Sequence, residues 1–113
     1  MGKFSKAKGS RFEREVAAAF RAGGFPEARR GLGQARSGTV APDITGVKNY
    51  WIECKAGARV SVLAALRQAE GNAAGEIPVA VCKVDREPAT ATLPLGDFIA
   101  LLDKAVNGRK AEV

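Results

Sequence analysis

Residues 41–55 read APDITGVKNYWIECK. Two short strand-like runs flank a Gly-Val-Lys-Asn turn, and they carry an aspartate, a glutamate and a lysine where a core strand should be apolar. A buried charge is costly unless it is paired, ligated or used in chemistry. A hairpin over 42–46 and 50–55 that turns around residue 48 keeps the sum of opposed positions near 96. Asp43 and Glu53 therefore face each other, roughly 5 Å apart at Cβ. Like charges so placed repel, and partial burial sharpens the conflict. Either one carboxyl keeps a proton or a cation lies between them.

Strand alternation puts Trp51, Glu53 and Lys55 on one face and Tyr50, Ile52 and Cys54 on the other. Lys55 is thus delivered beside the carboxylates, while Ile52 and Cys54 are left to the core. Two hard oxygen donors suit Mg²⁺, with Mn²⁺ as an alternative. The lysine could orient or deprotonate a water, or stabilise charge on a phosphorane. The competing reading is an Asp–Lys–Glu salt-bridge cluster on a half-exposed hairpin.

Composition narrows the chemistry. With 113 residues the chain is long enough for one domain with its own core. It has no histidine, so a histidine base is excluded. Cys54 and Cys82 lie in apolar surroundings and read as small buried hydrophobes, not as a disulfide or CxxC metal site. No apolar run approaches the ~20 residues of a membrane span. The basic N-terminus is followed by no signal-peptide apolar stretch. The expectation is a cytoplasmic protein, in the host cytoplasm if phage-encoded, with no membrane partner and no small-molecule cofactor.

The net charge of +6 is unevenly spread. Residues 1–36 carry Lys3, Lys6, Lys8, Arg11, Arg14, Arg21, Arg29, Arg30 and Arg36 against Glu13, Glu15 and Glu27, and beyond them the signs balance. The excess on one third of the chain suits a polyanion; a merely solubilising basic arm is the plainer reading.

Along the chain, residues 1–8 read as a flexible basic arm, 9–106 as a single domain and 107–113 as a frayed tail. Ser10 is positioned to cap a helix ending near Ala22, before Gly23-Gly24. Phe12, Val16, Ala19 and Phe20 form its apolar stripe, and Glu13 and Glu15 flank that stripe on opposite sides. Geometry alone does not choose between them. A short strand around 28–30 precedes the Gly- and Ser-rich stretch GLGQARSGTV, which reads as an exposed loop. After the hairpin come a helix over 60–73, strands at 78–84 and 89–95, and a helix over 97–106. The order αββαββα predicts an α/β fold, a mixed sheet flanked by helices. Trp51 reads as core beneath a helix, and Gln68 as a solvent-facing side chain.

Pro42-Asp43, nine intervening residues and then Glu53-Cys54-Lys55 resemble the PD-(D/E)XK nuclease signature. KGSRFERE at 8–15, opening an amphipathic helix that ends in GGF, resembles the start of archaeal-type Holliday junction resolvases and their phage relatives. The resemblance covers about residues 8–85. It implies a restriction-endonuclease-like fold and selects Glu13 over Glu15 for the active site. Asp43, Glu53 and the backbone carbonyl of Cys54 would then hold Mg²⁺, with Glu13 binding it directly or through water, and Lys55 would position the attacking hydroxide.

Arg29 or Arg30 matches a family arginine that contacts DNA, and Lys3, Lys6, Lys8, Arg11 and Arg36 would bind phosphates. Ser37 and Thr39 are assigned to phosphate or solvent. The implied activity is Mg²⁺-dependent cleavage of four-way DNA junctions by a homodimer. The alternatives are a nuclease of the same superfamily cutting flaps, ends or duplex, and a DNA-binding module with an idle site. The loop before Pro42 is longer and richer in glycine, and the C-terminal segment shorter, than the family pattern implies.

Overall fold

The computed structural model describes residues 2–31 and 41–108, the first six of them as backbone only. The elements are α1 (Gly2–Ala22), β1 (Arg29–Arg30), β2 (Ile44–Thr45), β3 (Tyr50–Gly57), α2 (Val62–Asn72), β4 (Ile77–Val84), β5 (Thr90–Thr92) and α3 (Leu95–Asn107). The five strands form one sheet in the order β1-β2-β3-β4-β5. Only β3 and β4 run parallel; the other neighbours are antiparallel. That parallel pair needs a crossover, and α2 supplies it. The result is the mixed, helix-flanked α/β sheet of a restriction-endonuclease-like fold, with β1 where the short strand around 28–30 was expected.

Side-chain alternation assigns the helices to opposite faces. Ile52, Val79 and Val81 pack with Phe12, Val16 and Ala17 of α1. On the other face Ala80 and Cys82 meet Ala65 and Leu66 of α2, while Trp51 lies against Ala69 and Ala73. Small residues at these contacts let α2 lie close to the sheet. Ser61 caps α2 by accepting the Ala64 N–H at 3.1 Å.

The first helix departs from expectation. It begins at Gly2, well before Ser10. Ser10 is therefore inside the helix, and its hydroxyl meets Arg30 Nη2 at 3.3 Å. Lysine and alanine are good helix formers, and they carry the helix through the segment read as an arm.

The hairpin register is as expected: Ile44 is paired with Ile52. Beyond that pair Asp43 is held on both sides, its N–H donating to Ile52 O at 2.9 Å and its carbonyl accepting from Gly31 N at 2.8 Å. Gly31 is there because nothing larger fits. A Cβ at that position would collide with the carbonyl oxygen of Pro42.

Candidate active site

A cleft of about 410 Å³ opens between α1, the β2–β3 hairpin and α2. Glu13, Asp43, Glu53 and Lys55 line it together, with Gln68 and Asn72 on the α2 side. Glu15 lies elsewhere, lining a separate hollow with Lys8, Arg11 and Lys83. The structure thus brings all four expected catalytic side chains to one cleft and separates the two glutamates.

Asp43 Oδ2 accepts the Cys54 backbone N–H at 2.8 Å, so the carboxylate takes a hydrogen bond that the short β2 ladder does not supply. The N–H and C=O of a strand residue project to the same side, which aims the Cys54 carbonyl toward Asp43. Burial pushes the Asp43 pKa up to about 6; the Cys54 N–H works against the rise, and the Glu53 charge adds to it. Lys55 acts weakly in the opposite direction.

Glu53 is the one buried charged residue among those described, 8% exposed. Its Oε2 accepts the indole N–H of Trp51 at 2.8 Å. Trp51 is core beneath α2, as its position suggested, and it also fixes a carboxylate. That role has a signal in sequence, because residues two apart on a strand share a face.

Glu13 pairs with Arg30, Nε to Oε1 at 3.0 Å. Arg30, read as a phosphate contact, is therefore bound to Glu13 and Ser10, whereas the Arg29 side chain is exposed. Lys8 pairs with Asp85 at 3.0 Å on the surface, and Arg11 is exposed. Arg36, Ser37 and Thr39 lie outside the described residues, as do the side chains of Lys3 and Lys6. Gln68 is exposed and still lines the cleft. Asn72, which sequence reasoning missed, lies one helical turn beyond it on the same face.

Among the described residues no group of three or more acidic or thiol side chains is arranged to hold a metal ion. The Asp43–Glu53 pair with the adjacent carbonyl is a smaller set, all hard oxygen. It fits a cation that keeps several of its waters. The cysteines add no ligand of their own: burial raises the thiol pKa of both Cys54 and Cys82, which keeps them protonated.

This sheet, with a carboxylate pair and a lysine at the β2–β3 hairpin, is of the restriction-endonuclease-like class. Residues 4–73 match the family model of archaeal Holliday junction resolvase (hjc), and the chain belongs to that family. No curated protein and no solved structure gives a significant match. The family is one of nucleases acting on junction DNA. No helix among the described residues is long and apolar enough to cross a membrane.

Proposed function

We propose that this chain is a divalent-metal-dependent endonuclease that resolves four-way DNA junctions by phosphodiester hydrolysis, acting as a homodimer in the cytoplasm. The observation that carries this reading is the meeting of Glu13, Asp43, Glu53 and Lys55 in one cleft of a chain from a resolvase family. Asp43, Glu53 and the Cys54 carbonyl would hold Mg²⁺ or Mn²⁺. Glu13, already paired with Arg30, would reach it through water. The ion, when bound, supplies charge neutralisation at the scissile phosphate and a more acidic water.

The remaining work falls to the side chains. Lys55 holds the attacking water in place and offsets the charge that develops on the phosphate. The Cys54 N–H and the Trp51 indole each tie one carboxylate oxygen, so Asp43 and Glu53 keep their orientation without substrate. Arg30 fixes Glu13 at the cleft, and the exposed Arg29 and Arg11 are free to meet flanking phosphates. Two such sites, one per subunit, would make the paired incisions that a four-way junction requires.

The test compares cleavage of a four-way junction with a matched linear duplex, in Mg²⁺ and in EDTA. Preferential, metal-dependent cutting of the junction is expected. Binding without cleavage in any divalent metal would leave only a DNA-binding module, and equal cutting of both substrates would point to a general nuclease.

Two substitutions probe the roles. Glu13→Gln should slow junction cleavage by roughly ten- to a hundredfold, the scale of a lost outer contact to a metal site. Glu15→Gln should stay within a few-fold of wild type, and equal losses would mean the wrong glutamate has been assigned. Trp51→Phe keeps the packing against Ala69 and Ala73 but removes the donor to Glu53. It should weaken Mg²⁺ by roughly tenfold, read from the Mg²⁺ concentration needed to raise the melting temperature, and lower the melting temperature in EDTA, because the buried Glu53 carboxylate loses its donor. An unaltered Mg²⁺ titration would reduce Trp51 to packing.

A further inference from the structure

We propose that α3 is the surface through which two copies of this chain associate, helix against helix and antiparallel about a two-fold axis. No residue of α3 is buried. Leu95, Phe98, Ile99, Leu101, Leu102 and Val106 are between 41% and 75% exposed. Placed at 100° per residue, they fill one arc of about 160°, while Asp97, Asp103, Lys104 and Asn107 occupy the rest of the circumference. A helix this apolar on one side normally buries that side, and among the described residues nothing covers it.

The area and the pattern both favour a second copy. The six side chains leave roughly 600 Å² of apolar surface per chain, at the upper end of what a monomer exposes in one patch. Two such faces in contact would remove on the order of 1,200 Å² from water, the lower bound of the stable interfaces. The stripe is also self-complementary. An antiparallel pair with its two-fold between residues 100 and 101 sets Leu95 against Val106 and Ile99 against Leu102, each contact occurring twice, as an isologous interface demands.

Other occupants fit less well. The charged side chains of α3 are Asp97, Asp103 and Lys104, an acidic balance. That set neither tracks a phosphate backbone nor forms the basic border with which amphipathic helices hold anionic membranes. The requirement for two active sites rests on the resolvase reading; the apolar face and its pattern stand apart from it.

The experiment uses the full chain. Wild type should run as a dimer at micromolar concentration in sedimentation or light scattering. Leu102→Asp and Ile99→Asp should each halve the apparent mass and leave the far-UV circular dichroism of the folded domain in place, because neither side chain is buried within its own chain. On a junction these variants should accumulate singly nicked product in place of paired incisions. An equimolar mixture of Ile99→Cys and Leu102→Cys chains should form the mixed disulfide under mild oxidation, which checks the pairing even if the aspartate variants unfold the helix.

A monomeric wild type would overturn the proposal, including one that sediments with vesicles of anionic phospholipid. So would aspartate variants that remain dimers, or cross-linking to Leu63→Cys on α2 instead of to α3. If α3 mediates a dimer that cleaves no junction, the interface stands and the resolvase reading falls.

Discussion

Asp43→Asn should abolish junction cleavage, by on the order of 10³-fold or more, while junction binding is kept or improved. Asparagine has nearly the same shape and can still accept the Cys54 N–H through its oxygen. What it removes is the charge, and with it both cation affinity and repulsion from Glu53. The folded-state pKa of Asp43 is raised from 3.8 to about 6, chiefly by burial, so between those values the folded chain binds a proton that the unfolded chain has released. This group therefore makes wild type lose stability as pH rises from about 4 to about 6, and the penalty persists at neutral pH.

The asparagine variant lacks that slope. In EDTA at pH 7 it should melt higher than wild type, and the difference should shrink below pH 4. Cleavage at the wild-type rate would remove Asp43 from the metal site. A lower melting temperature at pH 7 would show that the carboxylate pair is not the liability its burial implies.

The second large effect is expected at Lys55. In the nuclease reading it acts on the attacking water and the transition state, and Lys55→Ala should slow cutting by on the order of 10²-fold or more. Metal binding and junction affinity should change little. A salt-bridge cluster would predict something else: removing the lysine would leave two carboxylates uncompensated and lower the melting temperature. The structure favours the first account, because Lys55 lines the cleft, is exposed and forms no salt bridge with Asp43 or Glu53. Melting in EDTA and single-turnover cleavage in Mg²⁺ separate the two. A large loss of melting temperature with near-normal cleavage once Mg²⁺ is added would end the catalytic assignment.

What could be read from the residues follows from the range of the forces involved. The hairpin register was legible because a two-residue period and a turn leave one pairing, and Ile44 opposite Ile52 is that pairing. The faces of β3 followed from the same alternation, so Glu53, Lys55 and the asparate opposite them could be placed beside one another. The start of α1 was not legible. Ser10 looks like a cap, but capping is worth about 1 kcal/mol, and the lysine- and alanine-bearing segment before it is competent to continue the helix.

Long-range pairings left even less trace. Nothing local announces that Arg30 will meet Glu13, because they lie seventeen positions apart, one on α1 and the other on β1. The distinction between Glu13 and Glu15 came from resemblance, since both flank the buried stripe, and the fold then separated them. For α3 the helix itself was legible, but a helix with one apolar side shows only that a face wants covering. The same pattern would serve a helix folded onto its own sheet, and here that face stays open.

Gly31 has a consequence for anyone mapping this protein by mutation. It has no functional group, lies outside the acidic motif and donates only its backbone N–H, yet its missing Cβ is what lets that strand end approach the Pro42–Asp43 peptide. A methyl group there would displace the backbone bearing Asp43, and rates tuned to ångström-scale placement fall steeply with such a shift. In a saturation screen scored by activity alone, position 31 would tolerate nothing and would sort with the reactive carboxylates. Its intolerance would report a tolerance of fit, and a fold assay run beside the activity assay would separate the two kinds of sensitive site.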